Sequence, residues 1–241
     1  MIYKTRGIVL HHIKYAETSV IATIYTEKFG RQSYMIHGVR AKKSKIRASI
    51  LQPLFLVNLE VYHKANRDLQ RVKELQNAVV FNHLPYDLKK STLALFIAEI
   101  LYQTLREQEP HPELFRYLYH SIEMLDMKDR GLSNFHLYFL IHLTKYLGFF
   151  PNNNYSEKNL YFDLMKGVFT PLKPVHSNAL NELESAIFSR LLVFSEHQHA
   201  DLKMDYALRM TMIEKILKYF KLHHEGISTV NSYPVLREVF H

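Results

Sequence analysis

The hydrophobic period of the chain changes near residue 81, and this change constrains the fold more than any other feature. Before that point, short runs alternate between apolar and polar residues, as half-buried β-strands do. After it, apolar residues recur every three to four positions, as in amphipathic helices. We therefore expect an α+β protein of two domains, with a strand domain at residues 1–80 and an all-α helical domain at residues 81–241.

Five strand-like runs fit into the first third of the chain, and no connection between them is long enough for a crossover helix. They are rich in β-branched and aromatic residues. They lie at residues 5–14, 18–26, 31–37, 54–62 and 69–75. Gly30 can take a positive φ and provides a turn between the second and third runs. Five antiparallel strands joined by short turns predict a small closed barrel of the oligonucleotide/oligosaccharide-binding (OB) type.

The helical part contains several separate apolar patterns and one interruption. Ser133 is the expected N-cap of the third helix, which Gly148 ends. Helices are predicted at residues 88–108, 113–127 and 133–147, from 177 or 178 to about 194, at 204–224, and from about 232. Residues 149–176 contain four Asn, three Pro and Gly167. This composition predicts an irregular insertion with a short hairpin.

The positive charge is confined to the predicted strand domain. Residues 1–80 contain 14 Lys and Arg against 5 Asp and Glu, a net charge of +9, whereas residues 81–241 contain 17 against 18. A field of one sign on one module favours a polyanionic partner. Because no basic amphipathic helix lies in this region, we expect nucleic acid and not a membrane surface as the partner.

The densest cationic stretch is residues 38–47, which contain five cations and no carboxylate. Cations that bind phosphates release counterions and make the affinity salt-dependent. The predicted phosphate contacts are Arg40, Lys42, Lys43, Lys45 and Arg47, and Arg6, Lys14 and Arg31 extend them. A solvated loop without a ligand is the alternative interpretation.

Aromatic residues among these charges are candidates for stacking on unpaired bases. Tyr25, Phe29, Tyr34 and Tyr62 are interleaved with the cations, yet a small barrel also needs aromatic side chains inside it. We single out Tyr34 as a base contact. Arg31 is close to it in sequence, and Gln32 is expected on the same strand face.

The absence of cysteine excludes disulfides, thiolate zinc sites and cysteine nucleophiles. The 15 histidines do not show the spacing of a helical zinc site. The chain has no Walker loop and no nucleophile elbow. We therefore expect no metal, no cofactor and no catalytic residue. Without a signal-peptide segment or an apolar run of about 20 residues, the chain is expected to be a soluble cytoplasmic protein.

An ordered set of short motifs at residues 7–10 (GIVL), 15–19 (YAETS), 24–30 (IYTEKFG) and 38–44 (GVRAKKS) resembles the N-terminal domain of the RecO family of bacterial recombination mediators. Tyr146-Leu147-Gly148-Phe149 and Leu160-Tyr161-Phe162-Asp163 also resemble landmarks of that family. The resemblance implies an OB-fold followed by a helical domain. It also implies association with the nucleoid, binding to single- and double-stranded DNA, annealing of complementary strands, and loading of recombinase with RecR on DNA coated by the single-strand-binding protein SSB, whose C-terminal tail is a partner.

One family feature is missing. Many RecO proteins carry a four-cysteine zinc module near the position of residues 149–176, and this chain has no cysteine with which to build it. We therefore predict no zinc module.

The interpretation that we favour is a DNA-binding module without catalytic activity. An RNA-binding OB adaptor is an alternative, because the sequence does not show whether a 2′-hydroxyl is read. A metal-dependent phosphodiesterase or nuclease that uses Asp201, Asp205 or the histidines is a further alternative.

Overall fold

A computed structural model describes residues 1–39, 47–129, 131–193 and 202–241. Its N-terminal part is a closed barrel of five strands in the order β1-β2-β3-β5-β4, as predicted. All neighbouring strands are antiparallel except β3 and β5, which are parallel. The strands are β1 (Ile2–Lys14), β2 (Val20–Thr26), β3 (Gly30–Ile36), β4 (Leu56–Tyr62) and β5 (Leu69–Asn77).

The alternating pattern of the strands fills the barrel with apolar side chains. Every second residue points inward, because successive side chains of a strand lie on opposite faces. The core also contains Ile50 and Leu51 from a short 3₁₀ helix, Ala48–Leu51. Its buried members are Val9, Val20, Ala22, Ile24, Tyr34, Ile36, Val39, Ile50, Leu51, Val57, Leu59, Val61 and Leu75.

Six helices follow within the described residues: α1 (Leu88–Thr104), α2 (Pro112–Met127), α3 (Leu132–Tyr146), α4 (Glu182–Val193), α5 (Tyr206–His223) and α6 (Tyr233–Val239). The strand-to-helix change predicted from the sequence is thus confirmed. The predicted N-cap of α3 is wrong. Gly131, with φ 73°, caps that helix, and Ser133 lies inside its first turn. None of the described helices combines the length and apolar character that a membrane crossing requires.

The chain packs into two compact units. The first contains Met1–Met127 and Val230–Tyr233, so that α1 and α2 pack with the barrel. The second contains Lys128–Thr229 and Pro234–His241. The division into domains at residue 80 stays a prediction about independent folding.

The predicted irregular insertion contains a short hairpin, β6 (Tyr161–Asp163) and β7 (Val168–Thr170). Asn154 holds it in place, since its side chain donates to the carbonyl of Phe169 (2.9 Å) and accepts from the amide of the same residue (2.8 Å). The ring of Phe162 packs 4.8 Å from that of Phe169 and 4.4 Å from that of Phe188. Aromatic packing and side-chain hydrogen bonds therefore stabilise this segment.

Candidate nucleic-acid interface

The predicted phosphate contacts lie partly outside the described residues. Arg40, Lys42, Lys43 and Lys45 fall in the segment 40–46, of which the structure describes nothing. On either side of that segment, Val39 is buried in the barrel core and Arg47 is exposed. Lys14 is also exposed, at the end of β1, where it pairs with Val20, and Val20 in turn pairs with Ile36 at the end of β3.

Tyr34 cannot serve as a base contact in this structure, and that prediction is corrected. Its side chain is completely buried in the barrel core. Val20, Ala22 and Ile24 on the neighbouring strand share its inward face. Burial raises the pKa of the Tyr34 hydroxyl. The ring thus has no face that a nucleobase could reach.

Arg31 binds the end of α1. Its guanidinium donates to the carbonyls of Tyr102 (2.8 Å) and Leu105 (2.9 Å) and lies 4.5 Å from the centre of the Tyr102 ring. The last carbonyls of a helix lack partners within the helix and attract cations. Burial lowers the pKa of Arg31. Its position and its partners indicate a structural role, and the phosphate contact of Arg31 stays a prediction.

The turn before Arg31 is in close contact with the backbone that follows α1. Gly30 has φ 60°, as the turn prediction requires, and the backbone of Glu107 and Glu109 lies against its α-carbon. The amide of Arg31 donates to the carbonyl of Glu107 at 3.0 Å. A side chain at position 30 would collide with this backbone.

Arg6 is neutralised by Glu27. Its guanidinium donates twice to that carboxylate, at 3.0 and 2.7 Å, and lies 4.8 Å from the centre of the Tyr119 ring. The hydrogen bond to Glu27 raises the pKa of Arg6, and the same bond lowers the pKa of the carboxyl. Arg6 therefore already has an anionic partner, but its side chain is 46% exposed, and its phosphate contact stays a prediction.

We expect the replacement Arg31→Ala to destabilise the fold by about 2 kcal/mol, because two helix-terminal carbonyls lose a charged donor. Urea unfolding followed by circular dichroism measures this loss. The exposed Lys14 is the matched control, and Lys14→Ala should change the free energy of unfolding by less than about 0.5 kcal/mol. Equal stability of the Arg31 variant and the wild type would contradict the structural role.

A groove lies between the end of β4 and the start of β5, and its lining includes Tyr62, one of the stacking candidates from the sequence. It encloses about 580 Å³ at the connection between those strands, and its lining combines cations with exposed apolar side chains. The lining residues are Tyr62, Lys64, Arg67, Leu69, Gln70 and Arg71. The side chains of Tyr62 and Leu69 are exposed, and Tyr62 pairs with Arg71 across the two strands.

Gln70 fixes the loop that carries two of these cations. Its side-chain oxygen accepts from the amide of Lys64 (3.0 Å), and its nitrogen donates to the carbonyls of Lys64 (2.7 Å) and Arg67 (2.6 Å). Gln70 itself is buried. In the sequence, Gln70 is one polar position of a strand pattern. Nothing in that pattern indicates that its side chain binds the loop backbone.

The candidates for a metal-dependent enzyme do not come together in the described chain. Asp205 caps α5, where its carboxylate accepts from the amide of Leu208 at 2.8 Å, and Asp201 lies outside the described residues. His223 contacts the carbonyl of Leu164 at 2.8 Å and stacks on Phe149. Across the ranges that the structure covers, no cluster of three His, Asp or Glu residues is arranged to hold a metal.

Comparison with known proteins adds a family relation to this geometry. A family model for the N-terminal part of recombination protein O matches residues 1–80, and one for its C-terminal part matches residues 85–158. The chain is 36% identical over 241 residues to a DNA repair protein RecO of Bacteroides fragilis, with 100% of both chains covered. It is 33% identical over 238 residues to the DNA repair protein RecO of Flavobacterium psychrophilum, with 98% of both covered. For that of Porphyromonas gingivalis the identity is 27% over 244 residues, with 100% of both covered.

Proposed function

Because the chain belongs to the RecO family, we propose that it is a DNA repair and recombination mediator whose barrel binds single- and double-stranded DNA. On this proposal the protein anneals complementary single strands and helps to load recombinase, together with RecR, on DNA coated by SSB. The C-terminal tail of SSB is the second protein partner. The protein acts in the cytoplasm, in association with the nucleoid.

The distribution of charge is the observation that supports this function most directly. The +9 net charge of residues 1–80 belongs to the segment that forms the barrel, and the rest of the chain is nearly neutral. The stretch at residues 38–47 contributes five of the cations and no carboxylate. Such a field attracts nucleic-acid backbones irrespective of their sequence.

The proposed mechanism follows from electrostatics. Annealing is opposed by repulsion between two phosphate backbones, and a strongly cationic module offsets that repulsion while the base edges stay free to pair. This step needs neither ATP nor a bond-breaking group. We therefore propose a binding protein without catalytic activity.

The experiment that tests this proposal is annealing of two labelled complementary oligonucleotides, without nucleotide and with or without Mg²⁺. We expect the wild type to accelerate annealing and the triple variant Lys42→Glu, Lys43→Glu, Lys45→Glu to lose most of that acceleration. The reversed charges repel the phosphates that the lysines are proposed to bind. Thermal unfolding of the two proteins should be similar.

Two other outcomes would decide against the proposal. Shortened strands in the presence of Mg²⁺ would indicate a nuclease. Stronger binding to a single-stranded RNA than to DNA of the same sequence would favour the RNA-binding adaptor, because the two ligands differ chiefly in the 2′-hydroxyl.

A further inference from the structure

The cations of the barrel divide into two groups by their partners. Lys4 and Lys73 both contact Glu60, at 3.0 and 2.9 Å, as Arg6 contacts Glu27. Lys64, Arg67 and Arg71 are exposed, and no described carboxylate forms an ion pair with them. Lys14, Lys28 and Arg47 are also exposed and likewise lack a described ion pair, so that the groove is lined by three of the six such cations in the described part of residues 1–80.

The groove also presents an aromatic ring beside these charges. Tyr62 is 45% exposed and lies next to Arg71 across the sheet, with Leu69 (37% exposed) on the same lining. An unpaired nucleotide has the matching combination of a flat base with two exposed faces and an adjoining phosphate. A paired base in a duplex does not expose a face of this kind.

The groove is held in shape before any ligand binds. Gln70 bonds the backbone of the loop at Lys64 and Arg67, and the ring of His63 stacks on that of Phe29 with centres 3.9 Å apart. A ligand then does not have to order the loop, which reduces the entropic cost of binding.

We propose that this groove is a contact site for single-stranded DNA, in which a base stacks on Tyr62 and the flanking phosphates bind Lys64, Arg67 and Arg71. The inference rests on the proposed DNA-binding function and adds a site separate from the basic stretch at residues 38–47. Gln70 is a positioning residue, since it acts through the loop. The site selects single strands because stacking requires an unpaired base.

The absence of tryptophan from the natural chain allows a direct test. The variant Tyr62→Trp places the single tryptophan of the protein in the groove. Tyr86→Trp is the matched control, because Tyr86 is 82% exposed and lies outside the groove lining. With unlabelled oligo(dT) we expect quenching of the tryptophan fluorescence in the first variant and little change in the second.

A second experiment tests the charges by anisotropy of a labelled oligo(dT). Replacing Lys64, Arg67 and Arg71 with Gln should weaken binding about 100-fold at 0.1 M salt, because each lost phosphate contact lowers the slope of log K against log salt by about 0.7. The control is Lys4→Gln with Lys73→Gln, because both ammonium groups contact Glu60 and neither lysine lines the groove. We expect that control to bind within about threefold of the wild type.

The two proposals fail in different ways. Binding detected by anisotropy without quenching at position 62 would overturn the groove and leave the DNA-binding function intact. An absence of binding to any oligonucleotide would overturn the function itself. Equal quenching by poly-glutamate would overturn the groove as a nucleotide site, since an acidic peptide has charge but no base to stack.

Discussion

Replacing Lys42, Lys43 and Lys45 with Gln should weaken binding to single-stranded DNA by about 100-fold at 0.1 M salt. A single-strand contact contributes about 0.7 to the slope of log K against log salt. Three lost contacts therefore reduce the magnitude of that slope by about 2. If the variant and the wild type bind equally at 1 M salt, their affinities differ by about 100-fold at 0.1 M. The measurement is a salt titration with labelled oligo(dT) from about 0.05 to 0.3 M.

The chain provides a control of equal charge. Lys158, Lys166 and Lys173 are exposed and lie in the second unit. Their joint replacement with Gln lowers the net charge by the same amount and should leave the slope nearly unchanged. If both triple variants bound alike, net charge and not the basic stretch would determine affinity.

The barrel could be predicted because the strand patterns and the turn residues of the sequence favour the same fold. The run at residues 20–26 is rich in β-branched residues and forms β2, whose Val20, Ala22 and Ile24 belong to the barrel core. Gly30 has the positive φ that its turn requires. When local pattern and turn chemistry favour the same arrangement, few alternatives remain.

The candidate site was less predictable, because a cation in a sequence does not reveal its partner. Arg31 and Arg6 have the same signature as a phosphate ligand, yet their partners are the carbonyl of Tyr102, 71 positions away, and the carboxylate of Glu27, 21 positions away. These contacts exist only after the chain has folded.

For the groove, the sequence shows the cations but not that they lie close together. Residues 62–71 hold three cations and one carboxylate, a moderate excess compared with the denser stretch at residues 38–47. Their convergence depends on the turn between β4 and β5 and on the hydrogen bonds of Gln70. A count of charges cannot show that the three are left without a carboxylate.

Asp126 anchors the segment between the barrel and the first helix. Its buried carboxylate accepts from the amides of Asn82 (3.1 Å), His83 (2.8 Å) and Leu84 (2.6 Å), and its own carbonyl accepts from the ammonium group of Lys90 at 2.6 Å. Burial by itself raises the pKa of this carboxyl, but the three amides and the charge of Lys90 outweigh it, so that the pKa is lowered. The ionised form is thus the one that the fold stabilises.

We expect Asp126→Ala to cost about 3–5 kcal/mol of stability at pH 7, because it leaves three backbone donors without an acceptor. Glu123→Ala, in a partly exposed position on the same helix, is the control and should cost less than about 1 kcal/mol. Urea unfolding of the three proteins measures the difference. A loss no greater than that of the control would mean that the anchor contributes little.

The pH dependence of the unfolding free energy distinguishes the contribution of the Asp126 charge from that of the size and hydrogen bonds of its side chain. Since the folded pKa is lowered, the carboxylate contributes its full stability above the unfolded value of about 3.9 and loses it as the pH falls through the folded value. Asp126→Asn keeps one acceptor oxygen and removes the titration. The difference in unfolding free energy between wild type and this variant should therefore be largest at pH 7 and shrink toward pH 3. A difference that stays constant over this range would show that the size and hydrogen-bonding pattern of the side chain, and not its charge, hold the segment against α2.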